Sequence, residues 1–184
     1  MYNRSLKHPI TALIIAIIAC GFALVMNTQM KLGERVQAVE DSFFTSVAGE
    51  RSIYSRLEEK LDAANGLWTV LEGVDANAAQ SLSDARSGLL TAYESRDISA
   101  MYDANSELDK VYADAVNVLD GAELDESMQN ALESYTTNYE GAQKMIEQNS
   151  YNSSVLEFMR STFNKFPTSE LASFTGVEPP VSFE

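Results

Sequence analysis

Apolar residues run unbroken from Ile10 to Met26, and nothing later in the chain repeats that pattern. These 17 uncharged residues reach about 26 Å as a helix, close to the roughly 30 Å hydrocarbon thickness of a bilayer. The run predicts a transmembrane helix over residues 10–30, preceded by a short basic tail at residues 1–9. Beyond it, apolar positions recur at helical spacing. Leu32, Val36, Val39, Phe43 and Val47 form one stripe; after a polar gap at Gly49-Glu50-Arg51 it resumes with Tyr54, Leu57, Leu61, Ala64, Trp68 and Leu71. The pattern predicts a first helix running from the bilayer into the domain and ending near Gly73.

A shorter helix is predicted around Leu82, Ala85, Leu89 and Ala92, closing at Arg96-Asp97. A third carries Met101, Ala104, Leu108, Val111, Ala115 and Val118, its face widened by Ile98, Tyr112 and Leu119, and ends at Asp120-Gly121. The fourth carries Met128, Leu132, Tyr135, Tyr139, Ala142 and Ile146, with Asp125 near its start. The phase then slips at Gln148-Asn149-Ser150 and restarts with Tyr151, Val155 and Phe158, which predicts a kink or irregular turn. No segment alternates with period two, and three of the four prolines lie in the last 18 residues. The expected fold is all-α: a transmembrane helix, then an antiparallel four-helix bundle of long helices over residues 31–166, then an irregular C-terminal tail over residues 167–184 packed on the bundle. The tail keeps Leu171, Phe174, Val177, Val181 and Phe183, more large apolar residues than a disordered segment carries. Pro167 cannot continue a helix, so a turn is expected at Phe166-Pro167.

Charge sharpens this picture. Past the apolar run the chain holds 11 basic and 27 acidic residues, a net −16. Such a surface repels nucleic acid and anionic headgroups, so no nucleic-acid partner is expected. The positive charges before the run are Arg4, Lys7 and the α-amino group, on a tail short enough to stay inside while a long domain crosses. The expected topology is single-pass, N-terminus inside, domain outside. A cleaved signal and an acylated Cys20 both conflict with the apolar continuation through Phe22, Ala23, Leu24, Val25 and Met26.

Chemistry-bearing constellations are missing from the pattern. The only histidine is His8 and the only cysteine is Cys20, inside the apolar run. Zinc ligation, a di-iron bundle and a His-dependent nucleophile therefore lack their residues in the outer domain. The acidic stretch Asp120-Gly121-Ala122-Glu123-Leu124-Asp125-Glu126 misses the calcium-loop spacing and reads as a connection between helices. No catalytic, cofactor or metal residues are expected.

The C-terminal end carries Tyr151-Asn152-x-x-Val155, then Phe166-Pro167, Ala172, Gly176 and Phe183. This resembles the LemA family of bacterial membrane proteins, whose last helix carries Tyr-Asn-x-x-Val, followed by Phe-Pro and a short apolar tail. Met26-Asn27 with Met30, Leu32, Glu34 and Val36, and the internal Ala85-Arg86, also resemble that family. Its Arg-Arg-x-Asp-Leu-Ile-Pro-Asn-Leu segment is reduced here to Glu50-Arg51-Ser52-Ile53-Tyr54-Ser55-Arg56-Leu57, so the chain reads as a divergent member. The resemblance implies a helical domain outside the cytoplasmic membrane and no enzymatic activity. The expected function is a non-enzymatic, membrane-anchored interaction or scaffold protein. It is held in the bilayer through residues 10–30 and meets a protein partner, a second copy of the chain among the candidates. The alternatives are a helical-bundle sensor, which would signal through a partner because no second apolar run follows, or an accessory subunit of a membrane protease or envelope-stress system.

Overall fold

The computed structural model describes residues 7–47 and 49–184, with side chains from Ala12 onward. Arg4 and most of the basic tail therefore lie outside the described residues. Among the described residues the fold is helical and contains no strands: α1 (Lys7–Phe44), α2 (Ile53–Leu71), α3 (Ala76–Ser95), α4 (Ile98–Asp120), α5 (Glu126–Glu147), α6 (Tyr151–Phe158), a π-helical turn (Met159–Phe163) and α7 (Thr168–Thr175). α1 is long and apolar enough to cross a membrane. The chain divides into two compact units, Met1–Val39 with Leu156–Pro180, and Glu40–Val155 with Val181–Glu184.

The helix starts follow from the sequence. Ser52, Asp75, Asp97 and Asp125 each turn a side-chain oxygen back onto a first-turn amide, at 3.2, 2.9, 2.9 and 2.8 Å for Ser55, Asn77, Ala100 and Met128. Each cap satisfies an amide that the helix itself leaves unpaired and contributes about 1 kcal/mol.

The single helix expected to reach Gly73 is instead two. α1 stops at Phe44, and a tight turn pairs Val47 with Glu50 through backbone bonds of 3.1 and 2.9 Å. Gly49 has φ 88, a conformation that costs glycine little, and Ser52 then caps α2. The slip at 148–150 is a true break. Asn149 donates to the Arg51 carbonyl at 3.1 Å, and the Ser150 hydroxyl donates to Glu50 at 2.7 Å. The two helix breaks therefore fasten to each other.

In the second unit α2 packs most closely on α5, and α3 on α4, with α2 against α3 between them. Gly66 permits the first contact: a Cβ there would meet the Tyr135 ring at 2.2 Å. The buried positions on α4 are Ile98, Met101, Asn105, Leu108, Tyr112, Ala115 and Leu119, a three-four repeat rotated from the stripe read through Ala104, Val111 and Val118. On α2 the repeat runs Ile53, Leu57, Lys60, Ala64, Leu67 and Leu71. Burying each Leu, Ile or Met stabilises by roughly 1.5–3 kcal/mol. Lys60 and Asn105, at 0% and 4% exposure, occupy core positions of these repeats.

In the first unit Leu32 of α1 is buried with Phe163 and Ala172, and Val36, Phe158, Met159 and Val177 pack around them. The helix past residue 30 thus shares a core with the C-terminal segment. The tail expected to be irregular contains α7.

Candidate functional site

α4 approaches α5 far less closely than it approaches α3, and a cavity of about 780 Å³ opens along that seam. Its walls are the α4 face of Asp109, Tyr112, Ala113 and Val116, and the α5 face of Thr136, Tyr139, Glu140 and Glu147. On each helix these residues recur at three and four, which places them on one side.

Asp109, Tyr139 and Gln143 of this cavity also meet α2 in a polar junction. The Lys60 ammonium of α2 donates to Asn105 Oδ1 at 2.5 Å, Asp109 Oδ1 at 2.5 Å and Gln143 Oε1 at 2.6 Å. It also stands 4.6 Å from the centre of the Tyr139 ring. Its three protons are all engaged, which is what a buried ammonium requires. The Tyr139 hydroxyl donates to Asp109 at 2.8 Å, and its ring stacks on Tyr112 at 3.6 Å. Burial pushes the Lys60 pKa down, opposed by the Asp109 carboxylate. Burial, reinforced by Asp109, pushes Tyr139 up. Tyr112 is pushed up to about 12 by burial, opposed by the Thr136 hydroxyl and helped by Glu140.

Tyr112 is 4% exposed, and its hydroxyl and that of the neighbouring Thr136 lie close to one another and reach no other partner. A hydroxyl pair of this kind keeps acceptor capacity that a ligand in the seam could use. The rim carries Asp109, Glu140 and Glu147 against one lysine, Lys144, a net negative edge that suits a group carrying positive charge. Among the described residues no group of three or more His, Cys, Asp or Glu side chains could hold a metal ion.

The signature residues singled out in the sequence lie elsewhere. Tyr151, Asn152 and Phe183 meet. The Tyr151 hydroxyl donates to the Val181 carbonyl. The Asn152 amide both donates to and accepts from the Phe183 backbone, each at 2.8 Å. The Phe183 ring rests 5.3 Å from Phe43 and 5.4 Å from Tyr102, and Val155 is buried in the same helix. These residues clasp the chain end. Ala172 belongs to the core with Leu32. Gly176 ends α7 with φ 70. Phe166, before a cis Pro167, is 82% exposed. None of the eight lines the α4–α5 cavity. Lys60, Asn105, Asp109 and Tyr112 formed no motif in the sequence. A charged and an amide residue at core positions of two repeats were the only signal available.

Comparison with protein-family models, with characterised proteins and with solved structures finds no match to this chain.

Proposed function

We propose that the chain is a single-pass, membrane-tethered interaction protein of the LemA type, without catalytic activity, whose α4–α5 seam receives a partner segment bearing apolar and basic groups. On this reading α2 to α5 are an antiparallel four-helix bundle with one seam held open. The N-terminus lies inside the bacterial cytoplasmic membrane and the helical domain outside it. The exposed Leu13, Ile14, Ile17, Ile18 and Phe22 of α1 support the anchor, because so large an apolar surface is stable only when covered. The observation that carries the binding role is the open α4–α5 seam of about 780 Å³, rimmed by Asp109, Glu140 and Glu147 against one lysine, Lys144.

The test is a photo-crosslinking residue at Val116 of the full chain in its native membranes, with Ser87 on α3 as control. Adducts at Val116 that fade on Glu140→Lys with Glu147→Lys are expected. Equal background at both positions would overturn the binding role. A second reading, a sensor site for a small organic cation, draws on the cavity volume of about 780 Å³, within the range of about 300–1,000 Å³ typical of small-ligand sites. Thermal stabilisation of the full chain by arylalkylammonium compounds, without protein adducts at Val116, would favour it.

A further inference from the structure

The first unit carries a surface that the α4–α5 seam does not explain. Along α1 every described side chain from Ala12 to Leu24 is exposed, and partial burial starts at Val25. The cover is the C-terminal segment: Gln29 Nε2 donates to the Thr175 carbonyl at 3.1 Å, and Leu32 packs on Ala172 and Phe163. α7 therefore begins to touch α1 where the apolar run ends. Gln29 lies three residues past Met26, about 4.5 Å along a helix. At this level Phe174, next to Thr175, is 78% exposed, and Met30 on α1 is 63% exposed. An aromatic ring held open to water on a packed helix is unfavourable unless something covers it.

Charge points to what covers it. The second unit holds seven basic and 23 acidic residues, a net −16. Over residues 27–39 and 156–180 of the first unit, Lys31, Arg35, Arg160 and Lys165 are matched by four glutamates, and the net is zero. The acidic excess that would repel anionic headgroups is thus absent from these residues of the first unit.

We infer that α7 lies in the outer interface of the same bilayer that holds α1, with Phe174 inserted at the headgroup–acyl boundary beside Met30. This rests on the anchor reading above. Amphipathic and aromatic groups concentrate at that depth. Because Ala172 and Thr175 bind α1 directly, the inserted ring also fixes how far α1 rises from the bilayer.

The experiment uses the full chain in phosphatidylcholine vesicles, with Trp68→Phe removing the natural tryptophan and Phe174→Trp supplying a reporter. A blue-shifted emission is expected. It should be shielded from acrylamide and quenched more by lipids brominated near the headgroup than by lipids brominated near the chain ends. Ile18→Trp, in the same background, reports the anchor and should be quenched most by the deep bromines. If Ile18→Trp is quenched and Phe174→Trp emits as in water, α7 is not in the interface and the anchor stands. Shielding of Phe174→Trp without bromine quenching would mean a second chain covers the ring, and overturns the inference. If neither position is quenched by any brominated lipid, the anchor reading and this one fall together.

Discussion

Replacing Lys60 with Met removes an amine that holds three helices. The side chain is fully buried, and Met fills much the same volume, so the change tests the polar contacts more than the packing. Three acceptors lose their donor: Asn105, Asp109 and Gln143. Asn105 is itself buried, and leaving its oxygen unpaired costs about 1–3 kcal/mol. Asp109 is 31% exposed and Gln143 lines the cavity, so water replaces the amine at both and the charge pair contributes less than the 3–5 kcal/mol of a fully dry one. Against these losses stands relief of the desolvation that lowers the Lys60 pKa. The expected net loss is about 2–3 kcal/mol, a fall in Tm of roughly 5–10 °C for a chain of this size. Thermal and urea unfolding of the full chain in detergent reads this directly. The pH dependence adds an independent check. A lysine whose pKa is lower folded than unfolded binds fewer protons in the native state. Its penalty is complete below the folded pKa and shrinks as pH rises from there towards the unfolded value near 10.5. Wild type should therefore gain on Lys60→Met between pH 7 and 9.5, before the buried tyrosines, whose raised pKa values act in the opposite sense above pH 10, begin to titrate. A variant within about 0.5 kcal/mol of wild type at pH 7, or a gap that narrows with pH, would refute the reasoning.

Phe183→Ala should destabilise by about 3 kcal/mol, since its ring closes the cluster of Phe43, Tyr102 and Tyr151; Asn152→Ala, losing two bonds to the Phe183 backbone, should cost about 1–2 kcal/mol and expose the chain end to carboxypeptidase. In detergent Phe174→Ser should move the unfolding midpoint little, because the ring is exposed; a large drop would place it in a core. Gly66→Ala should cost about 1–2 kcal/mol by pushing the Tyr135 ring off α2, measurable by chemical denaturation. Tyr112→Phe should change stability by less than about 1 kcal/mol, because its hydroxyl has no partner beyond the nearby Thr136 hydroxyl, while weakening whatever the seam binds.

Helix existence was legible because apolar residues at three and four spacing need a partner surface wherever they occur. Of the helix starts, the one at Asp125 was legible because a side chain makes the cap; Asp97 was legible only as the close of the preceding helix, although it caps the next one. The break after Phe44 was missed because the apolar stripe keeps its phase across it, while the turn depends on Gly49 and a backbone pairing with no periodic signature. Lys60 was missed for a related reason. It adjoins Leu61, and a stripe drawn through Leu57, Leu61 and Ala64 passes it by, although burial centres on Leu57, Lys60 and Ala64. Asn105 was passed over likewise beside Ala104. The tail was read as apolar, and it is, but composition does not say which ring turns inward: Phe183 is buried while Phe174 is not. The seam was invisible because periodicity gives each helix a face without naming the neighbour that covers it.

The placement of Lys60 explains why that seam stays open and yet remains ordered. α4 and α5 have few direct approaches, and an apolar floor between them would favour collapse until the helices met. Here Asp109, Gln143 and Tyr139 of the lining are tied to the Lys60 ammonium of α2, and Tyr112 stacks on Tyr139. Closing the seam further would break hydrogen bonds near 2.5 Å that nothing else could replace, and opening it would strand a buried charge. Both motions are opposed, so the gap is held at one width. A pre-formed cleft with fixed walls loses little ordering entropy when a partner enters. The same residues therefore set the width of the cleft and supply its chemistry. Asp109→Asn is the discriminating change: it keeps the shape and an acceptor for the amine but removes the negative charge. If the junction serves only packing, Val116 adducts should be unaffected; if it also attracts a basic partner, they should fall without a matching loss of helix content by circular dichroism.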